Sequence, residues 1–176
     1  MEERLKKIKA FVFDVDGVFT DGGILATADG DLFRVFDAKD SFALRMAYMK
    51  GFQVGVITGG VSESIRKRFR TCAVPEENIY LGSRAKIEDF EHFCDKNSLD
   101  AEEVMYFGDD LPDIPVMVAC GCGACPSDAV DEVKAVADYI SPRAGGKGFV
   151  REALEMVMKL QGKWSLDIDK YKKEFQ

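Results

Sequence analysis

Two rhythms of apolar and polar positions alternate along this chain. Short unbroken apolar runs have the length of buried strands; longer stretches repeat apolar residues every three or four positions, as helices do. The run at 8–15 predicts the first strand, and 52–57, 79–81, 104–107, 122–124 and 139–140 predict further ones. Between them, 40–50, 62–71, 85–97, 113–119, a segment starting at 128, and 148–160 read as helices. Asp40 is placed to cap the first of these, and Gly51 to stop it. Such regular alternation implies an α/β architecture, a parallel sheet with helices on both faces.

One segment breaks the rhythm. Residues 23–26 and 32–36 flank Thr27-Ala28-Asp29-Gly30-Asp31, and Asp29-Gly30 is a hairpin-turn pair. A hairpin at about 23–36 projects from the sheet directly after the first strand. Its Ile24, Leu25, Leu32, Phe33, Val35 and Phe36 suit burial against another subunit or against their own domain. Residues 1–162 then form one domain. Residues 163–176 make a charged tail carrying Trp164, either frayed or docked on a neighbour.

Composition narrows the class. The chain has 176 residues, 47% of them hydrophobic, enough for a substantial core without staples. A net charge of −7 argues against nucleic acid as a partner and requires a local cationic site for any anionic substrate. No apolar run is long enough to span a bilayer, and residues 1–7 lack the pattern of a signal peptide, so a soluble, cytoplasmic protein is expected. Cys120, Cys122 and Cys125 cluster without a second ligand pair at zinc-finger spacing, which favours small buried thiols around a strand. His92, the only histidine, lies in a polar helical stretch and reads as a surface residue.

The chemistry concentrates at strand ends. Phe11-Val12-Phe13 runs into Asp14-Val15-Asp16-Gly17, two carboxylates spaced so that both face one side of the strand. Ligands bind at the carboxyl ends of parallel strands, and crowded carboxylates there need a cation or a proton between them. Thr58-Gly59-Gly60 follows the second core strand, where a hydroxyl and free backbone N–H groups can hold phosphate oxygens. Lys86 opens the helix after the short third strand. Gly108-Asp109-Asp110-Leu111-Pro112-Asp113 follows the next strand, its acids suited to a magnesium site; Asp113 alternatively only supports the following helix.

In that order, Asp14-Val15-Asp16-Gly17-Val18, Thr58-Gly59, Lys86 and Gly108-Asp109-Asp110 resemble the four motifs of the haloacid dehalogenase-like phosphatases, over about residues 8–162. The resemblance implies a Rossmann-like fold and a roster of roles. Asp14 matches the nucleophile that becomes an aspartyl-phosphate, and Asp16 the general acid and base. Mg2+ would be held by Asp14, the Asp16 backbone carbonyl and Asp109, with Asp110 and Asp113 orienting those ligands. Thr58, Gly59, Gly60 and Lys86 would bind the transferring phosphoryl group.

The segments between these motifs are too short for the cap domain that many family members carry. A capless site needs another wall, and a neighbouring subunit is its natural source. Together with Arg143-Ala-Gly-Gly-Lys147-Gly and Arg151-Glu152, the pattern is similar to the 3-deoxy-D-manno-octulosonate 8-phosphate phosphatases, homotetramers of lipopolysaccharide sugar synthesis. Arg143 and Lys147 are then candidates for substrate contact, in their own site or a neighbour's. Arg66 and Arg68 are candidates for the carboxylate of the sugar acid. The related phosphatases of 2-keto-3-deoxynononate 9-phosphate and N-acylneuraminate 9-phosphate are the nearest alternative. They carry an acid after the Thr-Gly pair, where this chain has Gly60. A non-catalytic oligomerising relative would have lost one of Asp14, Asp16, Lys86 or Asp109; all are present. A phosphoryl mutase would need a cap to keep water from the phosphoenzyme.

Overall fold

The computed structural model describes residues 1–175; Gln176, the end of the expected tail, lies outside the described residues. In chain order the elements are α1 (Glu2–Leu5), β1 (Ala10–Phe13), β2 (Leu25–Ala26), β3 (Leu32–Phe33), α2 (Ala38–Met49), β4 (Gln53–Ile57), α3 (Glu63–Arg70), β5 (Ile79–Tyr80), α4 (Lys86–Asn97), β6 (Val104–Phe107), α5 (Ile114–Ala119), β7 (Cys122–Cys125), α6 (Asp131–Val136), β8 (Tyr139–Ile140), α7 (Phe149–Leu160) and α8 (Ile168–Phe175).

Six strands form one sheet in the order β5-β4-β1-β6-β7-β8, every neighbouring pair parallel. This is the expected α/β, Rossmann-like arrangement. Alternate residues of β1 feed two cores. Phe11 and Phe13 pack with α2, α3 and α7, while Ala10 and Val12 pack with α4, α5 and α6 on the other face. A fully buried strand has no polar face, which is why its run reads as continuously apolar. Gly55 in β4 lets α4 approach, since a Cβ there would lie 2.7 Å from the Phe93 ring.

Between β1 and β4 the described residues hold only the β2–β3 hairpin and α2, and between α4 and β6 only a short 3-10 turn at Ala101–Glu103. No cap domain is therefore present among the described residues. The hairpin leaves Leu25, Phe33 and Val35 exposed, and Phe36 packs on the main core.

Several expected boundaries move. The first strand is shorter than 8–15. The second helix begins at Ala38, because Asp37 rather than Asp40 is its cap, accepting from the Lys39 and Asp40 amides at 2.7 and 3.1 Å. The segment from 128 turns helical only at Asp131. The expected tail docks on its own chain: the rings of Tyr171 and Phe42 stand 5.7 Å apart, and Lys170 donates to the Met49 carbonyl at 2.7 Å. All five cysteines are buried with free thiols, and His92 is exposed, hydrogen-bonded to the Tyr80 hydroxyl.

Candidate active site

A cavity of about 430 Å3 opens at the carboxyl ends of the central strands. It gathers Asp14 and Asp16 from the loop after β1, Thr58, Gly59 and Gly60 after β4, Lys86 from the start of α4, and Asp109 and Asp110 after β6. Parallel strands deliver these loops to one edge of the sheet, which is why residues far apart in sequence meet here.

At its floor Lys86 bridges two carboxylates, with Nζ 3.0 Å from Asp14 Oδ2 and 2.7 Å from Asp113 Oδ1. Burial alone would lower the Lys86 pKa; the flanking Asp14 and Asp113 outweigh it and hold the ammonium above its ordinary range. Asp113 is fully buried, and both its oxygens are engaged. Oδ1 also accepts from the Tyr106 hydroxyl at 2.7 Å, and Oδ2 accepts from the Asp109 and Asp110 amides at 3.1 and 3.3 Å. Asp113 thus shapes the 108–113 loop from within. The Asp110 side chain lines the cavity and accepts from the Leu111 amide at 2.8 Å, supporting the following turn.

Carboxylate oxygens of Asp14, Asp109 and Asp113 lie within 4.8 Å of one another. Burial first, and Asp113 next, push the Asp14 carboxyl up to about 7. Burial and then Asp14 push Asp109 up to about 8. Asp109 Oδ1 is buried with no hydrogen-bond partner. A crowded, desolvated, all-oxygen donor set with an orphaned oxygen fits a hard divalent cation. Gly17 closes this cluster tightly: its φ is +83°, and a Cβ there would lie 1.9 Å from Asp109 Oδ2.

The Asp16 side chain stands apart from that cluster. Its two oxygens take the Arg34 guanidinium, Nε at 2.6 Å and Nη2 at 3.0 Å. Arg34, Tyr106, Ser83 and Arg84 were not expected here from sequence. A lone arginine inside Leu32-Phe33-Arg34-Val35-Phe36 and a lone hydroxyl in β6 were the available signals. Thr58 is buried, and its hydroxyl accepts the Gly60 amide at 3.2 Å.

Four expected substrate contacts do not line this cavity. Arg66 pairs loosely with Glu63 at 3.5 Å, and Arg68 lies over the Phe36 ring and reaches Ser41. Arg143 and Lys147 line a separate cavity of about 450 Å3 with Lys39, Arg151 and Lys159. Their loop still touches the site through its backbone: Gly146 donates to the Val18 carbonyl at 3.0 Å.

A parallel sheet with paired acids, a threonine, a lysine and further acids at successive strand ends defines a class. Residues 77–152 match the family profile described as haloacid dehalogenase-like hydrolase. The chain is 32% identical over 166 residues to the 3-deoxy-D-manno-octulosonate 8-phosphate phosphatase KdsC of Haemophilus influenzae, covering 94% of this chain and 91% of that one. A crystal structure of the same-named phosphatase from Moraxella catarrhalis, in complex with magnesium, phosphate and a KDO molecule, superposes with a TM-score of 0.89 at 29% identity, covering 99% of this chain and 97% of that one. The cobalt-bound form of the Haemophilus influenzae enzyme gives 0.86 at 32% identity, covering 90% and 92%. The chain belongs to the haloacid dehalogenase-like hydrolases, and it is a phosphatase of that family.

Proposed function

We propose that this chain is a Mg2+-dependent phosphomonoesterase that hydrolyses 3-deoxy-D-manno-octulosonate 8-phosphate to the free sugar acid and phosphate. The observation that carries the reading is the floor of the cavity. There Lys86 joins Asp14 to Asp113 beside the unpartnered oxygen of Asp109, on a chain 32% identical to a phosphatase of that name.

In this reading Asp14 attacks phosphorus and forms an aspartyl-phosphate as the ester oxygen departs, taking a proton from Asp16. Water then attacks phosphorus, Asp16 accepts its proton, and Asp14 is released with inorganic phosphate. Lys86 and the Thr58-Gly59-Gly60 turn bind the phosphoryl oxygens, whose charge is greatest in the transition state. Asp14, Asp109 and the Asp16 backbone carbonyl would hold the metal. When bound, it supplies positive charge to the site and lets these acids stay ionised. Asp113 positions Lys86 and the 109–110 backbone.

The sugar acid needs a wall that the capless cavity lacks. We assign it to a neighbouring subunit of a cytoplasmic homotetramer. Arg66, Arg68, Arg143 and Lys147 then serve as substrate contacts across the assembly, which agrees with their places outside this chain's own cavity.

The test is phosphate release with Mg2+ from 3-deoxy-D-manno-octulosonate 8-phosphate and from 2-keto-3-deoxynononate 9-phosphate. A higher kcat/KM for the eight-carbon ester, lost in Asp14→Asn, is expected. Preference for the nine-carbon ester would overturn the substrate, and no turnover of either would overturn the activity.

A further inference from the structure

Arg34 comes from the second arm of the hairpin, and its setting is unlike that of its neighbours. Phe33 and Val35 are 56% and 85% exposed, yet the Arg34 side chain is only 4% exposed. It turns inward and lays Nε and Nη2 on the two oxygens of Asp16, at 2.6 and 3.0 Å. Its Nη1 is buried and meets no partner. A guanidinium sunk this far with one nitrogen unsatisfied is held by its other contacts, and the Asp16 fork is the ion pair it makes.

We propose that Arg34 is a positioning residue for hydrolysis, fixing the Asp16 carboxyl so that its remaining lone pairs face the ester; this rests on the reading of Asp16 as the proton carrier. Each carboxylate oxygen has two lone-pair directions, and the planar fork takes one from each. Any proton that Asp16 carries then sits on an outer lone pair, in a direction set by the guanidinium plane. Without the fork, a half-exposed carboxyl is free to rotate about its side-chain bonds. Proton transfer requires the donor within hydrogen-bond reach and aligned, so the loss falls on the step that needs the proton.

Gly60 takes part by its size. A Cβ there would stand 3.3 Å from Arg34 Nη2 and 2.7 Å from Ile65 Cδ1. The space left by this glycine is therefore filled from inside the chain, by Ile65 and by the guanidinium that orients Asp16. A carboxylate at position 60 would compete with Asp16 for that guanidinium.

The experiment compares two esters in wild type, Arg34→Ala and Arg34→Lys, all with saturating Mg2+. One is a sugar-acid phosphate, whose alkoxide must be protonated as it leaves. The other is p-nitrophenyl phosphate, whose leaving group departs unprotonated. The value of kcat/KM reports the steps up to leaving-group departure. Arg34→Ala is expected to lose about 30-fold or more on the alkyl ester and less than about 3-fold on the aryl ester, within the roughly 10^2–10^4 that acid–base catalysis supplies. Arg34→Lys should recover part of the loss, since it restores one donor. Equal losses on the two esters, a rise in KM alone, or no loss would overturn the proposal. Should Arg34→Ala fail to fold, Arg34→Lys and Arg34→Gln carry the same comparison. A wild type inactive on both esters overturns the phosphatase reading itself, a result distinct from an active wild type indifferent to Arg34.

Discussion

Lys86 links the stability of this protein to its chemistry. Its ammonium lies buried between Asp14 and Asp113, and removing it would leave Asp113 with only the Tyr106 hydroxyl and two backbone amides to offset a buried charge. Breaking a buried ion pair by deleting one partner is strongly destabilising. Lys86→Met, which keeps the stem, is therefore expected to lower unfolding stability by about 3–5 kcal/mol in urea titrations and to abolish phosphate release. A loss below about 1 kcal/mol would mean that water, not Lys86, compensates these acids. Gly17 offers a second test at this scale. Gly17 and Gly51 both have positive φ, so alanine strains either backbone by about 1 kcal/mol. Only at Gly17 would the new Cβ collide with Asp109. Gly17→Ala should thus cut activity by about 100-fold or more and weaken Mg2+ binding in calorimetry, while Gly51→Ala keeps both near wild type. Similar behaviour in the two variants would detach Asp109 from the metal.

Helix α7 is preceded by Gly148, which has no side chain to cap it. The missing acceptor comes from another element: Asp40 of α2 takes the Arg151 amide at 2.7 Å. Burial is the main cause that pushes the Asp40 carboxyl up to about 6. Because this lies above the unfolded value of about 3.9, the native protein keeps a proton that the unfolded chain has lost between about pH 4 and 6. Stability owed to Asp40 is greatest below that window and falls as pH rises through it, by up to about 3 kcal/mol. Urea titrations from pH 4 to 7 should show wild type losing stability relative to Asp40→Asn across that range and no further above it; parallel profiles would sink the assignment. Asp40 also shows where sequence reading stops. By residue type and position Asp40 reads as the cap of α2. Asp37 takes the cap locally, and Asp40 is drawn to a contact 111 residues away. The same limit hid Arg34, whose partner Asp16 lies across the hairpin, and Tyr106, whose hydroxyl is used only once Asp113 folds beneath it. Legible features were those with local causes: β6 at Val104–Phe107 and β8 at Tyr139–Ile140 have the bounds their apolar runs imply, and the strand-end acids meet because parallel strands all end on one edge.

Across the whole molecule, the hairpin is the element least accounted for by its own chain. Its strands pair over only Leu25–Phe33 and Ala26–Leu32, and a two-stranded hairpin of that size is at best marginally stable in water. Yet it carries Leu25, Phe33 and Val35 outward, 67%, 56% and 85% exposed, and Arg34 inward onto Asp16. A mobile hairpin would leave Asp16 unheld, so the outward apolar side needs a surface that fixes it. A second copy of the chain would supply one without any further partner, and closed symmetry would repeat the contact at each subunit. The protein is therefore expected to sediment as an oligomer several times its 19.6 kDa chain mass. Phe33→Glu with Val35→Glu should shift it toward monomer in light scattering and lower kcat/KM for an alkyl phosphate more than for p-nitrophenyl phosphate, the same signature as loss of Arg34. Asp14→Asn, which removes the proposed nucleophile and leaves the hairpin untouched, should keep the assembly intact. A wild-type protein that is monomeric at micromolar concentration and fully active would break the link between the outward and inward faces of the hairpin, and the orientation of Asp16 would then have to be secured within one chain.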